Sequence, residues 1–181
     1  MKKFILFFTI VLSFAQIDAQ EKVMWNKVSQ EKVSRLERIK KTSYSENQQF
    51  YTLNIDVLRK KLSVAKTQRS GLSNTVIEFP TANGEFEKFQ VWENSNFAPE
   101  LQQKYPNIRA YVGRSISDKA TTINFSLSPR GIQTMILKAD NNSEFIEPAS
   151  REGELYILFD SKTRVSEKLS FVWHHPSLEF L

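Results

Sequence analysis

Thr121-Thr122-Ile123-Asn124-Phe125-Ser126-Leu127-Ser128, then Pro129-Arg130-Gly131, then Ile132-Gln133-Thr134-Met135-Ile136-Leu137-Lys138, is the stretch from which the fold can be read. Ile123, Phe125 and Leu127 alternate with Thr122, Asn124 and Ser126, the period of a strand with one buried and one wet face. Pro129-Arg130-Gly131 has turn chemistry and separates this strand from a second over 132–138. Asp140-Asn141-Asn142 makes the next turn, and strands are predicted at 143–148 and 154–159.

The same signal extends towards the N-terminus. A strand is predicted over 108–116, preceded by one or two helical turns over 98–105 that Pro106 stops. Strands at 75–79 and 86–92 flank Asn83-Gly84, a pair that tolerates positive φ and favours a tight antiparallel hairpin. Phe50, Leu53 and Ile55 read as a short strand, after which Asp56 is placed to cap a helix running to about Ala65, with Val57, Leu58, Leu62 and Val64 as its apolar stripe. The class this predicts is α+β: mainly antiparallel β-sheet of about seven strands with two or three short helices. Most of the apolar periodicity lies in 50–160, so that β-rich segment is expected to hold the core and the flanks to add little stability.

Those flanks read differently. Met1-Lys2-Lys3 followed by an apolar run to Ala15, broken only by Thr9 and Ser13, has the length of a cleaved secretory signal, with a cut after Ala15 or Ala19. Residues 1–19 are thus expected to direct the chain out of the cytoplasm, to be secreted or to stay in the periplasm or at the cell surface. Residues 20–49 are polar, with Val33, Leu36 and Ile39 at helical spacing near 30–41 and a linker after them. Residues 161–181 are unassigned, and their apolar end from Leu169 lacks a partner segment, as a truncated tail would.

Composition narrows the chemistry. The chain has no cysteine, which removes disulfides, thiolate metal sites and a thiol nucleophile together. Its net charge of +5 is a mild excess spread among nearly as many carboxylates, and Arg59-Lys60-Lys61 suits a solvated helix face; no nucleic-acid partner is expected. Nothing after the leader is long and apolar enough to span a membrane. His174 and His175 are the only histidines, and adjacent positions point to opposite sides of a helix or strand, unlike a zinc pair four residues apart. The sequence has neither a Gly-x-Ser-x-Gly elbow nor a Gly-rich phosphate loop. No cofactor and no catalytic residue are expected.

One resemblance stands beside this reading. Tyr51 to Leu58, Ile77-Glu78-Phe79-Pro80 with Gly84, Phe89 to Glu93, Ala98-Pro99-Glu100-Leu101, Tyr105-Pro106-Asn107-Ile108, Tyr111-Val112-Gly113, Asp118, Phe125-Ser126, Pro129-x-Gly131 and Ile146-Glu147-Pro148 follow in an order that resembles the N-terminal prodomain of secreted reprolysin-like (metzincin) zinc metalloproteases of Bacteroidetes. The likeness covers about 50–160 and is most specific from Ala98 to Gly113. It implies a non-catalytic chaperone or inhibitor module truncated before its protease domain. It also implies zinc only in that absent domain, and a metalloprotease catalytic domain, in cis or trans, as partner. The alternative is a free-standing extracellular β-sheet binding or adhesion module. If such a prodomain blocks the zinc directly, a chain without cysteine needs a carboxylate, and Asp118 in the Ser117-Asp118-Lys119 turn is the candidate. Gly84, Tyr105, Pro106, Tyr111, Gly113 and Gly131 are read as fold determinants.

Overall fold

Alternation of side chains is what turns these segments into one sheet with an inner and an outer face. A computed structural model describes residues 23–29, 31–33, 48–67, 71–95, 97–150 and 153–162. The expected leader, most of the helix near 30–41, His174, His175 and the tail lie outside the described residues. Among the described residues nine strands form a single sheet: β1 (Trp25–Val28), β2 (Gln49–Leu53), β3 (Val76–Pro80), β4 (Phe86–Glu93), β5 (Arg109–Ser115), β6 (Thr122–Ser128), β7 (Gly131–Leu137), β8 (Ser143–Pro148) and β9 (Leu155–Asp160). Two helices, α1 (Ile55–Leu62) and α2 (Pro99–Lys104), join them, and residues 31–33 are helical.

Every pairing between these strands is antiparallel, in the order β1-β2-β9-β8-β7-β6-β5-β4-β3, and the sheet curls into a nearly closed barrel. The expected mainly antiparallel sheet is present, but with nine strands rather than about seven. The strand absent from the sequence reading is β1. Trp25-Asn26-Lys27-Val28 is four residues long and lies in a Lys- and Glu-rich stretch, with too few positions for a period to show. The sheet therefore starts ahead of Phe50, and 20–49 is more than a helix and a linker. The helix cap also moves: Asn54, two residues before Asp56, is the N-cap of α1, its side chain accepting from Val57 N at 3.2 Å.

Inside the barrel, Trp25, Tyr51, Leu53, Ile77, Phe79, Phe89, Val91, Phe125, Ile136 and Tyr156 form the main core, and α1 adds Leu58 and Leu62. A second cluster on the outer side joins Val28, Val33, Phe50, Leu155, Ile157 and Phe159, with Phe145 packed against it and stacked on Phe159. Strand β9 is consequently apolar on both faces, as Leu155-Tyr156-Ile157-Leu158-Phe159 reads.

Trp25 is the keystone of the closure. Its ring meets Tyr51, Phe79 and Tyr156 at centroid distances of 6.3, 6.1 and 5.7 Å, and its indole N–H donates to the Glu78 carbonyl at 3.0 Å. β1 and β3 are the two ends of the sheet, so this side chain ties edge to edge where no backbone ladder runs. Trp25→Ala is expected to cost about 3–5 kcal/mol by leaving a core cavity. Trp25→Phe should cost about 1 kcal/mol, chiefly the indole hydrogen bond. Urea unfolding of both variants tests this, and an unchanged midpoint for Trp25→Ala would place β1 outside the cooperative unit.

Candidate functional site

Residues 98 to 108 build the link between β4 and β5. Pro99 starts α2 at a position where its missing N–H costs nothing, and Tyr105, whose N–H reaches Leu101 O at 3.0 Å, ends it just before Pro106. Gln102 holds the link together, donating to Tyr105 O and Ile108 O at 3.1 Å each and bonding Ser95 Oγ at 2.5 Å. Arg109 then pairs with Glu93 across β4 and β5. Tyr105 and Pro106 lie exposed on this link, whereas Tyr111 is buried and stacks on Phe125 with centroids 5.0 Å apart.

Gly113 and Gly131 sit at close approaches, and Gly84 serves a turn. A Cβ on Gly113 would come within 2.7 Å of Ile123 Cγ2 and 3.0 Å of Gln90 O. Gly84 lies in the turn of the β3–β4 hairpin at φ +86°. Gly131 has φ +106°, and a Cβ there would lie 2.2 Å from the Tyr156 hydroxyl, which itself accepts Ile132 N at 3.3 Å.

Asp118 lies exposed on the β5–β6 turn. Its carboxylate accepts the Thr121 hydroxyl at 2.7 Å and Ala120 N at 3.0 Å, and these bonds, Thr121 first, hold its pKa below the ordinary carboxylate value. Each oxygen thus accepts one bond that closes the turn and keeps a further lone pair. Beneath the turn the buried Ser115 hydroxyl donates to Glu87 and accepts from Asp118 N at 3.0 Å and Ser117 N at 3.2 Å.

A second polar cluster was not foreseen. Glu144, 1% exposed, sits at the opening of β8 and pairs with Lys138. Its other oxygen accepts Ala82 N at 3.1 Å, and Gln49 Nε2 donates to Ala82 O at 2.7 Å while accepting the Tyr51 hydroxyl at 3.0 Å through Oε1. The β3–β4 hairpin is thereby pinned over one end of the barrel by strands far from it in sequence. The available signal was alternation: with Ile146 facing inward, Glu144 falls on the inner face of β8, where an acid requires a partner.

On the outer face of β6, β7 and β8 lies an open groove of about 650 Å³, lined by Ser126, Ser128, Arg130, Gln133, Glu147 and Ser150 among others. A shallower trough of about 420 Å³ shares Ser126, Gln133 and Glu147 and runs on to Asn94 and Met135. Together they present hydroxyls, amides, a carboxylate and a guanidinium, groups able to hydrogen-bond a polar ligand or chain. Among the described residues no three His, Cys, Asp or Glu side chains lie together in a way that could hold a metal ion, and no helix is long and apolar enough to cross a membrane. The chain matches no family model, no curated protein and no solved structure. The class its own geometry defines is a nearly closed antiparallel sheet with a filled interior and its polar groove outside.

Two expectations follow. Glu144→Ala leaves the Lys138 ammonium and the Ala82 amide without their partner and should cost about 3 kcal/mol, read from urea midpoints. A loss below about 1 kcal/mol would mean that water replaces the carboxylate. The second concerns pH. Burial, and next the nearby Glu93 charge, push the Tyr111 phenol up from 10.0 to about 12, with Arg109 acting the other way. Tyr51 and Tyr156 are also raised by burial. Such groups hold their protons more tightly when folded, so their stabilisation is complete below the unfolded value of 10.0 and is lost as pH rises towards about 12. Midpoints should stay level up to about pH 10 and fall beyond it, less steeply in Tyr111→Phe. Equal slopes for variant and parent would show that Tyr111 ionises as freely folded as unfolded.

Proposed function

We propose that the chain is the non-catalytic prodomain of a secreted zinc metalloendopeptidase, acting as an intramolecular chaperone and inhibitor. The observation that carries this reading is the use to which the most family-like residues are put. From Ala98 to Gly113 they form a helix, a bonded turn and a central strand, so the distinguishing residues are spent on a scaffold. That is what a module selected to hold a partner domain requires. In this reading Asp118, exposed on its turn, is the carboxylate offered to the partner's zinc, and the chain works outside the cytoplasm. The outer-face groove favours a second reading, a free-standing extracellular binding or adhesion module.

Rising amounts of the mature chain, added in trans to a reprolysin-like catalytic domain, separate the two. Without a tether the prodomain loses an effective concentration on the order of millimolar, so inhibition or assisted refolding is expected at about micromolar protein. An unrelated secreted β domain with the same effect on rate and refolding yield would favour the binding-module reading. Zinc-dependent hydrolysis by the chain alone would overturn both.

A further inference from the structure

Asn83-Gly84 is the one Asn-Gly pair in the sequence, and the structure sets it at the tip of the β3–β4 hairpin. Gly84 N donates to Thr81 O and Thr81 N to Glu85 O, each at 2.9 Å, and Gly84 has φ +86°, so a tight turn is followed by one left-handed residue. The Asn83 carboxamide is drawn into the same turn. Its Oδ1 accepts the Thr81 hydroxyl and, at 3.1 Å, Glu85 N, while its Nδ2 donates to Glu85 Oε2 at 3.2 Å. Next to it Ala82 is held on both sides, its N–H by Glu144 and its carbonyl by Gln49.

An asparagine followed by glycine can attack itself, because the glycine nitrogen has no side chain beside it and closes a five-membered ring on the carboxamide carbon. Gly84 N gives up its proton to water and bonds to Asn83 Cγ; the Cγ–Nδ2 bond breaks, and Nδ2 takes up a proton and leaves as ammonia. Water then opens the resulting succinimide at either carbonyl, which leaves aspartate or isoaspartate at position 83. Asn83 is exposed, so water reaches it. The closed turn opposes the first step. Ring closure consumes the Gly84 N–H that bonds Thr81 O and expels the Nδ2 that bonds Glu85, so both hydrogen bonds are lost on the way.

We propose that Asn83-Gly84 is a site of spontaneous deamidation which the closed hairpin holds in check, so that the modification marks chains whose hairpin has opened and then loosens the hairpin irreversibly. The reaction belongs to the moments when the turn opens locally. Its product does not restore the turn. A carboxylate replaces the Nδ2 donor opposite the Glu85 carboxylate, and two like charges at that separation repel. Isoaspartate also lengthens the main chain by a carbon between Gly84 and Ala82, whose place Glu144 and Gln49 fix. The inference stands apart from the prodomain reading, since it concerns the chemistry of the chain's own turn.

Peptide mapping by mass spectrometry tests it on the mature chain, incubated at neutral pH both folded and unfolded in guanidinium chloride, with the exchange of ammonia for water at position 83 as the readout. The unfolded chain is expected to react there ahead of its other asparagines. The folded chain should react about tenfold more slowly, the scale of one or two hydrogen bonds. Glu85→Ala, at an exposed position, takes away the acceptor of Nδ2 and should raise the ratio of folded to unfolded rates several-fold. Should that variant not fold, the ratio in the parent chain carries the test. Asn83→Gln, whose longer side chain would have to close a six-membered ring, should stay unmodified at this position. Modified chain, once refolded, is expected to exchange the amide hydrogens of Thr81 and Gly84 faster than the parent. Reaction as fast in the folded chain as in the unfolded one, no loss of ammonia at position 83 from the unfolded chain, or equal protection of those two amides before and after modification would overturn the proposal.

Discussion

A long antiparallel sheet twists and coils, and by nine strands its two edges have been carried round to face one another. The fold depends on how that last gap is managed. Here it is bridged by a side chain: the Trp25 indole reaches the Glu78 carbonyl while its ring packs on Tyr51, Phe79 and Tyr156. A single tryptophan thus supplies an edge-to-edge hydrogen bond and a large share of the aromatic interior. With so much of the core gathered around a residue of β1, the N-terminal strand belongs to the domain even though its own sequence is mostly polar.

The ends of the barrel are dealt with by different means. Leu58 and Leu62 of α1 extend the apolar core, whereas the β3–β4 hairpin is tied down by Glu144, Lys138 and Gln49. The second arrangement puts a carboxylate almost wholly out of water, which is tolerable because both oxygens have partners. It also fixes the position of the hairpin that leads into β4.

The polar chemistry of the surface divides in the same way between structure and contact. Asp118, Ser115, Thr121 and Glu87 spend their hydrogen bonds on one turn. Ser126, Gln133, Arg130 and Glu147, by contrast, line an open groove on the outer face. The first group keeps the sheet in register, and the second stays on an open face.

Local sequence determined most of the strands. The alternation of Ile123, Phe125 and Leu127, the Asn83-Gly84 and Pro129-Arg130-Gly131 turns and the stop at Pro106 each act over a few residues, so β3 to β9 and α2 were legible within a residue or two. The residues from Ala98 to Gly113 cap, bond and pack the link between β4 and β5. Tertiary structure alone decided the rest. β1 has too few residues to show a period, and its place follows from partners 53 residues away at Glu78 and beyond 130 at Tyr156. The pairing of Glu144 with Lys138 and the Ala82 amide, and the seam between β1 and β3, arise only when distant strands meet. Periodicity reports which face of an element is buried; which element covers that face, and which backbone groups stay unpaired, is settled by closure of the whole sheet.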